Sequence, residues 1–140
     1  MSIQAVLLPL FVEVALTFVL LFWMARLNVA AVRSGTVRSQ DIALREPNWP
    51  ARNRQIQNAY HNQLELPTLF YVLTLFSIVL RHADLLFVLL AWVFVALRCL
   101  QVFVHVTDND VPRRGALFLA GALVLAVMWA VFALRILLGI

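Results

Sequence analysis

Four long apolar stretches run through the chain, and polar residues concentrate between them. The stretches span about residues 3–31, 53–80, 83–106 and 115–138. Each is long enough to cross a bilayer, which takes about 20 mostly apolar residues in helical conformation. No apolar-polar alternation predicts strands, and helices satisfy their own backbone hydrogen bonds in lipid. The pattern predicts an all-α integral membrane protein in which residues 1–140 form one four-transmembrane-helix domain.

The connections between the stretches predict how the helices are arranged. The longest connection, 32–52, contains a glycine and two prolines, which are typical of loops and helix ends. The connections at 81–84 and 107–112 are short, so consecutive helices are expected to be antiparallel neighbours in an up-down bundle. Asp84 is a candidate N-cap for the third helix.

Composition supports a membrane environment and orients the chain in it. The sequence is 64% hydrophobic and 13% charged. In soluble domains roughly half of the residues are apolar and roughly a quarter are charged. The net charge is +4 and every basic residue is arginine, but no basic cluster is interleaved with aromatic residues, so we expect no nucleic-acid partner. The first and third connections are expected to be cytoplasmic and both termini outside, because most arginines lie on that side: Arg33, Arg38, Arg45, Arg52, Arg54, Arg113 and Arg114.

Other common sites have little support in the sequence. The three histidines lie far apart without ligand spacing, so no metal is expected. Cys99 is the only cysteine, which excludes an intrachain disulfide. The N-terminal residues lack a positive region and a small-residue cleavage site, so the first stretch is interpreted as a retained helix.

Polar residues form a stripe on each of two helices that should be lipid-embedded. On the second helix the spacing i, i+3, i+4 and i+7 places four of them on one face: Asn58, His61, Asn62 and Glu65. The third helix carries a similar stripe: Arg98, Gln101 and His105. A lone charge at the bilayer centre costs at least about 3 kcal/mol, so we expect Glu65 to pair with Arg98, which lies at similar depth. Similarly, Glu13 and Arg135 are expected to form a structural pair toward the outer side.

Two interpretations of the stripes are open. Polar side chains can simply hold helices together, at about 0.6 kcal/mol per contact. Alternatively, the stripes form a wet pocket that opens to the cytoplasm and takes an anionic, peptide-like ligand, since carboxylates bind Arg and amides bind Asn and Gln. The rim of this pocket would carry Arg38, Arg52 and Arg114.

Three motifs resemble one family. They are Asn62-Gln63-Leu64-Glu65-Leu66-Pro67, which contains an Asn-x-x-Glu signature, Gly35-Thr36-Val37-Arg38, and Arg98 followed by Pro112 and Arg114. Together they resemble the membrane-associated proteins in eicosanoid and glutathione metabolism (MAPEG), and most closely the bacterial members. That family includes microsomal glutathione transferases and the lipoxygenase-activating protein. The resemblance implies a homotrimer in the bacterial cytoplasmic membrane.

The resemblance also implies a ligand and residue roles. Glutathione would bind between adjacent protomers near the cytosolic face, in contact with Arg38, Asn62, Glu65 and Arg98. The stripe residues Asn58, His61 and Gln101 would complete its binding site. Arg114 would stabilise the glutathione thiolate, and His105 would donate a hydrogen bond to it, because a nearby cation lowers a thiol's pKa and the thiolate is the nucleophile.

This chain departs from the family's enzymes at two places, which leaves several functions open. Asn58 stands where the enzymes carry an arginine, and Gln101 and His105 stand where they often place tyrosines. One hypothesis is a glutathione transferase or peroxidase acting on a lipophilic substrate that enters from the bilayer. The other is a non-catalytic accessory protein that holds a lipid or partner in the same intersubunit cleft. A transporter or channel is a third possibility, disfavoured by the absence of an internal repeat.

Overall fold

The computed structural model describes residues 1–140 as five α-helices and one short 3₁₀ turn, with no strands. The helices are α1 (Ile3–Arg33), α2 (Ala51–Asn62), α3 (Leu66–Val79), α4 (Leu85–Val106) and α5 (Val111–Leu138). α2 and α3 together form one candidate span, so the chain has four helical segments long and apolar enough to cross a membrane. The predicted all-α, four-span architecture is confirmed.

Local chemistry explains where the helices begin and end. The Asp84 carboxylate accepts a hydrogen bond from the Phe87 N–H at 3.0 Å, which confirms the predicted N-cap of α4. α5 begins at Val111, four residues earlier than predicted, because Pro112 fits the first helical turn, where no N–H partner is needed. α5 ends at Gly139, whose φ of 68° is in the left-handed region that glycine tolerates.

The second predicted helix is broken at residues 63–65. The helical conformation ends at Asn62 and resumes at Leu66, with Glu65 between them at φ −92° and ψ −100°. Pro67 lacks an N–H, and its ring would clash with the Gln63 carbonyl if the helix continued, so it takes a first-turn position of α3 instead. The prediction of one continuous helix over 53–80 was therefore wrong, and the break buries the Gln63 side chain inside the bundle.

The apolar core is small for the size of the chain. It centres on Phe70, Leu73, Phe94 and Leu125, where α3, α4 and α5 pack together. Only 28 of 140 residues are buried, while many large apolar side chains are exposed along α1, α3, α4 and α5. Exposed apolar surface on this scale is explained by lipid, which replaces water around transmembrane helices.

Candidate functional site

A polar cavity of about 430 Å³ lies where α2, α4 and the first turns of α5 meet. Its only hydrophobic lining residue is Phe118. The lining otherwise consists of Gly115 and seven of the nine predicted site residues: Asn58, His61, Asn62, Glu65, Gln101, His105 and Arg114. The structure thus brings six of the seven stripe residues together with Arg114 and leaves Arg98 outside the lining, and the binding role of these residues stays a prediction.

Hydrogen bonds from α2 to the end of α4 set the register of the two stripes. The Gln55 amide donates to the His105 carbonyl at 2.8 Å and to the Thr107 carbonyl at 3.1 Å. Arg52 donates to the Val106 carbonyl at 2.6 Å. These carbonyls at the end of α4 lack helical partners, and a cation there also complements the helix dipole. The resulting register places Asn62 beside His105.

His105 and Arg114 are in direct contact in the cavity wall. Arg114 Nη1 lies 2.7 Å from His105 Nε2 and 2.8 Å from the Asn109 side-chain oxygen. A guanidinium only donates, so Nε2 accepts and the imidazole is neutral, with its proton on Nδ1. Nδ1, which carries the proton, lies 3.4 Å from the Asn62 amide nitrogen, and because that nitrogen is also a donor the contact is not a hydrogen bond with this tautomer. The pair therefore offers a fixed cation next to an imidazole that is oriented by Arg114.

Arg98 lies behind the cavity wall instead of lining it. Its side chain is 1% exposed and donates from Nη1 to the Gln101 side-chain oxygen at 2.7 Å. Nη2 donates to the Asn62 backbone carbonyl at 3.1 Å and to the Gln63 side-chain oxygen. Arg98 consequently touches two residues of the wall, Asn62 and Gln101, but does not itself line the cavity.

The predicted pairing of Glu65 with Arg98 was wrong in this chain. The carboxylate that faces Arg98 belongs to Glu13 of α1, with Oε1 3.8 Å from Arg98 Nε. Gln63 donates to the same carboxylate oxygen at 2.8 Å and so bridges the two charges. The reason is the break before α3, which leaves Glu65 exposed on the cavity surface while Gln63 turns inward.

The predicted pairing of Glu13 with Arg135 was also wrong. Arg135 Nη2 lies 2.8 Å from the Asp84 carboxylate, at the end of the bundle remote from the cavity. Glu13 is about 15 Å along α1 from its first residue, whereas Arg135 lies in the last turn of α5. The two side chains therefore lie at different depths.

Arg38 is the other predicted site residue that does not line the cavity. It follows α1 in the long connection, and its exposed side chain donates to the Asp41 carboxylate at 3.3 Å. The predicted contact of Arg38 with glutathione stays a prediction. Arg52, predicted at the rim, caps α4 and lies over the Trp23 ring at 5.1 Å from its centroid.

A second polar cavity, of about 440 Å³, adjoins the first, and Asn58 and His61 border both. The connection between α1 and α2 and the start of α2 supply its charges, which come from Arg45, Glu46 and Arg54. The two cavities form a polar groove that crosses α2 near the arginine-rich end of the bundle.

Sequence reasoning missed Glu13 and Gln63 as parts of the site. Glu13 is the only charged residue in the first half of α1, and a carboxylate at that depth signals a buried partner. Pro67 is two residues after Glu65 and signals the start of a new helix. The first signal would have indicated that Glu13 faces the bundle interior, and the second that the helix is interrupted near Gln63.

Comparison with known families agrees with the fold. A family model, described as the MAPEG family, matches residues 6–134. No curated protein and no solved structure matches the chain. The matched residues include the second and third spans completely, most of the first and fourth, and every residue of the polar cavity. This integral membrane chain belongs to the MAPEG family.

Proposed function

We propose that this protein is a membrane-bound glutathione-dependent transferase or peroxidase that acts on a lipophilic substrate. The observation that carries the proposal is the polar cavity, which unites a carboxylate, amides and a cation in about 430 Å³. Ligand-binding pockets usually have volumes of about 300–1,000 Å³. Membership of a family associated with glutathione metabolism supports the choice of ligand.

The chemistry of the groove matches that of glutathione. Glutathione is a tripeptide with an ammonium group, carboxylates at both ends and a central thiol. The exposed Glu65 carboxylate suits the ammonium group, and the amides of Asn58 and Asn62 suit the peptide bonds. Arg45 and Arg54 in the adjoining cavity suit a carboxylate.

Arg114 is assigned to the thiol. A cation within hydrogen-bond reach favours the thiolate, which is the reactive nucleophile. In conjugation, the thiolate sulfur forms a bond to an electrophilic carbon of the substrate, and either a leaving group departs from that carbon with its electron pair or, in an addition to a double bond, the displaced electron pair takes up a proton. Phe118, the one hydrophobic lining residue, lies one turn after Arg114 on α5 and gives the cavity an apolar side for such a substrate. The substrate reaches this side from the bilayer.

The proposal includes assembly and orientation. Asn58, His61 and Glu65 are exposed in the single chain, and a neighbouring protomer would cover them in a homotrimer. Native mass spectrometry in mild detergent should then detect three chains, and a stable monomer would contradict an intersubunit site. The arginine-rich connections are assigned to the cytoplasmic side of a bacterial inner membrane. Cysteines introduced between α1 and α2 should therefore resist an impermeant reagent applied to intact cells.

A second candidate function is a non-catalytic accessory protein that holds a lipid or partner in the same cleft. The observation that favours it is that the Arg114 guanidinium already donates hydrogen bonds to His105 and Asn109 within the chain. The neutral Asn58 removes a further cation that the family's enzymes carry. A cavity with few free cations binds a ligand without activating its thiol.

Stopped-flow absorbance of the thiolate, after glutathione is mixed with purified protein, separates the two functions. For the enzyme, Arg114→Ala should still bind glutathione, while thiolate formation and turnover fall at least about tenfold, equivalent to about 1.4 kcal/mol. Arg113→Ala is the matched control, because the Arg113 side chain is exposed and pairs with Asp108 and Asp110 outside the cavity. It should behave like the wild type.

Each result has one interpretation. Wild-type protein that binds glutathione without forming a thiolate supports the accessory function and excludes the enzyme. Wild-type protein that binds no glutathione at millimolar concentration contradicts the proposed ligand itself. Equal losses in Arg113→Ala and Arg114→Ala would mean that both arginines act only through the helix terminus or the lipid headgroups.

A further inference from the structure

We propose that Glu13 of α1, which does not line the 430 Å³ cavity, is a positioning residue of the site. Together with Gln63 it holds the Arg98 guanidinium, and this guanidinium holds Asn62 and Gln101 in the cavity wall. The inference rests on the proposed function for its ligand, and it extends the site to a buried residue of α1.

A continuous series of contacts leads from α1 to the cavity. Glu13 is fully buried, and its Oε1 accepts from the Gln63 amide at 2.8 Å. The oxygen of the same Gln63 amide accepts from Arg98 Nη2. The direct distance between the charges, Glu13 Oε1 to Arg98 Nε, is 3.8 Å, and Nε has no hydrogen-bond partner. Gln63 therefore determines where the guanidinium sits, and Glu13 determines where Gln63 points.

The far end of the series fixes two features that a ligand meets. Arg98 Nη2 donates to the Asn62 carbonyl at the end of α2, which tethers the backbone at the helix break. Arg98 Nη1 donates to the Gln101 side-chain oxygen at 2.7 Å. Because that oxygen points toward Arg98, the amide nitrogen of Gln101 is on the other side and can donate toward the cavity. Gln101 is thereby fixed as a donor, the polarity that suits a ligand carbonyl or carboxylate.

The charge of Glu13 keeps Arg98 out of the cavity. An unpaired guanidinium in the membrane interior moves toward water or another carboxylate. In the absence of the Glu13 charge, the nearest alternatives lie at the cavity, where Glu65 carries an exposed carboxylate. We expect the guanidinium to leave Gln63 and turn toward the cavity, which breaks its contacts with Asn62 and Gln101. A site depends on such support when its wall residues must be held to within about 0.5 Å.

The test is Glu13→Gln, which keeps the shape and a hydrogen-bond acceptor for Gln63 but removes the charge. We expect glutathione to bind at least about tenfold more weakly, which corresponds to about 1.4 kcal/mol. Hydrogen exchange of the backbone amides of residues 63–65 should become faster without any ligand, because the tether on the Asn62 carbonyl is lost. Both are measured on the intact protein in detergent, by calorimetry and by mass spectrometry.

Asp84→Asn is the matched control. It also removes the carboxylate from a carboxylate–arginine pair, but at the N-terminus of α4, about 30 Å along the helix from His105. It should leave glutathione affinity and the exchange of residues 63–65 unchanged. Wild-type values of both in Glu13→Gln would overturn the proposal and leave Glu13 as a purely structural residue.

Two further results keep the test decisive. Glu13→Gln combined with Arg98→Gln strands no charge and should fold even where the single variant does not. This double variant lacks the guanidinium donors, so it should bind glutathione as weakly as Glu13→Gln does. The backbone amides of residues 63–65 should also exchange faster than in the wild type. Wild-type affinity and exchange in the double variant would contradict the positioning role of Glu13. If the wild type binds no glutathione, the proposed ligand fails, and the exchange of residues 63–65 alone decides the role of Glu13.

Discussion

Two ion pairs tie distant parts of this chain together, Glu13 with Arg98 and Asp84 with Arg135. The first joins α1 to α4 across 3.8 Å, and its side chains are 0% and 1% exposed. The second joins the start of α4 to the end of α5 across 2.8 Å, with side chains 46% and 26% exposed. The shorter pair is at the surface of the bundle and the longer one is at its centre.

The distance between the charges alone would give the wrong order for the contributions of the two pairs to stability. A solvent-exposed pair contributes about 0–1 kcal/mol, because water screens both charges and solvates either one that is left alone. A buried pair adds little over an apolar replacement, but removing one partner strands the other at a cost of about 3–5 kcal/mol. The burial of a pair therefore determines how much stability is lost when one of its charges is removed. The following predictions test this difference, from the largest expected effect to the smallest.

The largest effect is expected for Arg98→Gln, which leaves the Glu13 carboxylate without a cation. It should lower the free energy of unfolding by about 3–5 kcal/mol. In a double-mutant cycle, Glu13→Gln should recover much of this loss, while Glu65→Gln should add to it independently. Unfolding by a denaturing detergent measures all the variants. A strong coupling energy between Arg98 and Glu65 would instead support the Glu65–Arg98 pair that the sequence predicted.

A smaller effect, on the ligand rather than the fold, is expected for Glu65→Gln. Its carboxylate lines the cavity and forms no ion pair within the chain, so its loss should change the free energy of unfolding by less than about 0.5 kcal/mol. Glutathione affinity should nevertheless fall about tenfold, since the ammonium group loses its partner. Calorimetry and detergent unfolding on the same preparation compare the two effects. A large loss of stability would place Glu65 in the fold rather than in the site.

The smallest effect is expected for Asp84→Asn. Asparagine still caps α4, so only the ion pair with Arg135 is removed, at about 0–1 kcal/mol. Partial burial raises the pKa of Asp84, but hydrogen bonds from the Phe87 N–H and from Arg135, together with the Arg135 charge, outweigh it and hold the pKa below its ordinary value of 3.8.

The pH dependence of this pair follows from that sign. With a folded pKa below the unfolded one, the contribution of Asp84 is present above pH 3.8 and is lost as the pH falls through the folded pKa. The stability difference between wild type and Asp84→Asn should therefore be constant near neutral pH and shrink in acid. A difference that grows in acid would contradict the direction of the shift.

Much of the fold was predictable because its signals are local. Apolar length identified all four spans, and Asp84 ahead of an apolar run identified the cap of α4. The i, i+3, i+4 and i+7 spacing also grouped the polar side chains of the cavity correctly, because residues with this spacing share a helical face. The spacing works even for Glu65, which lies just beyond the end of α2.

The partners of the buried charges were not predictable in the same way. Depth along a span suggested Glu65 for Arg98, but depth does not determine which side of a helix faces which neighbour. The backbone of the three residues around Leu64 is not helical, so α3 does not continue the direction of α2. As a result, the Gln63 amide is buried in the interior, where a continuous helix would place the Glu65 carboxylate. The ion pair between Glu13 of α1 and Arg98 of α4 joins residues that are far apart in the sequence, so it can be identified only once the helices are packed together.

The helix break also has an evolutionary consequence. By turning Gln63 inward, it makes the residues that face the cavity, such as Asn58 and His61, different from the residues that hold Arg98, such as Glu13 and Gln63. Mutations in the first group are free to change ligand preference while the bundle remains intact. Gln101 belongs to both groups, so it should drift most slowly. Descendants of this chain that lose Glu13 should lose the Arg98 charge soon afterwards, because each charge is tolerated in the membrane only while the other is present.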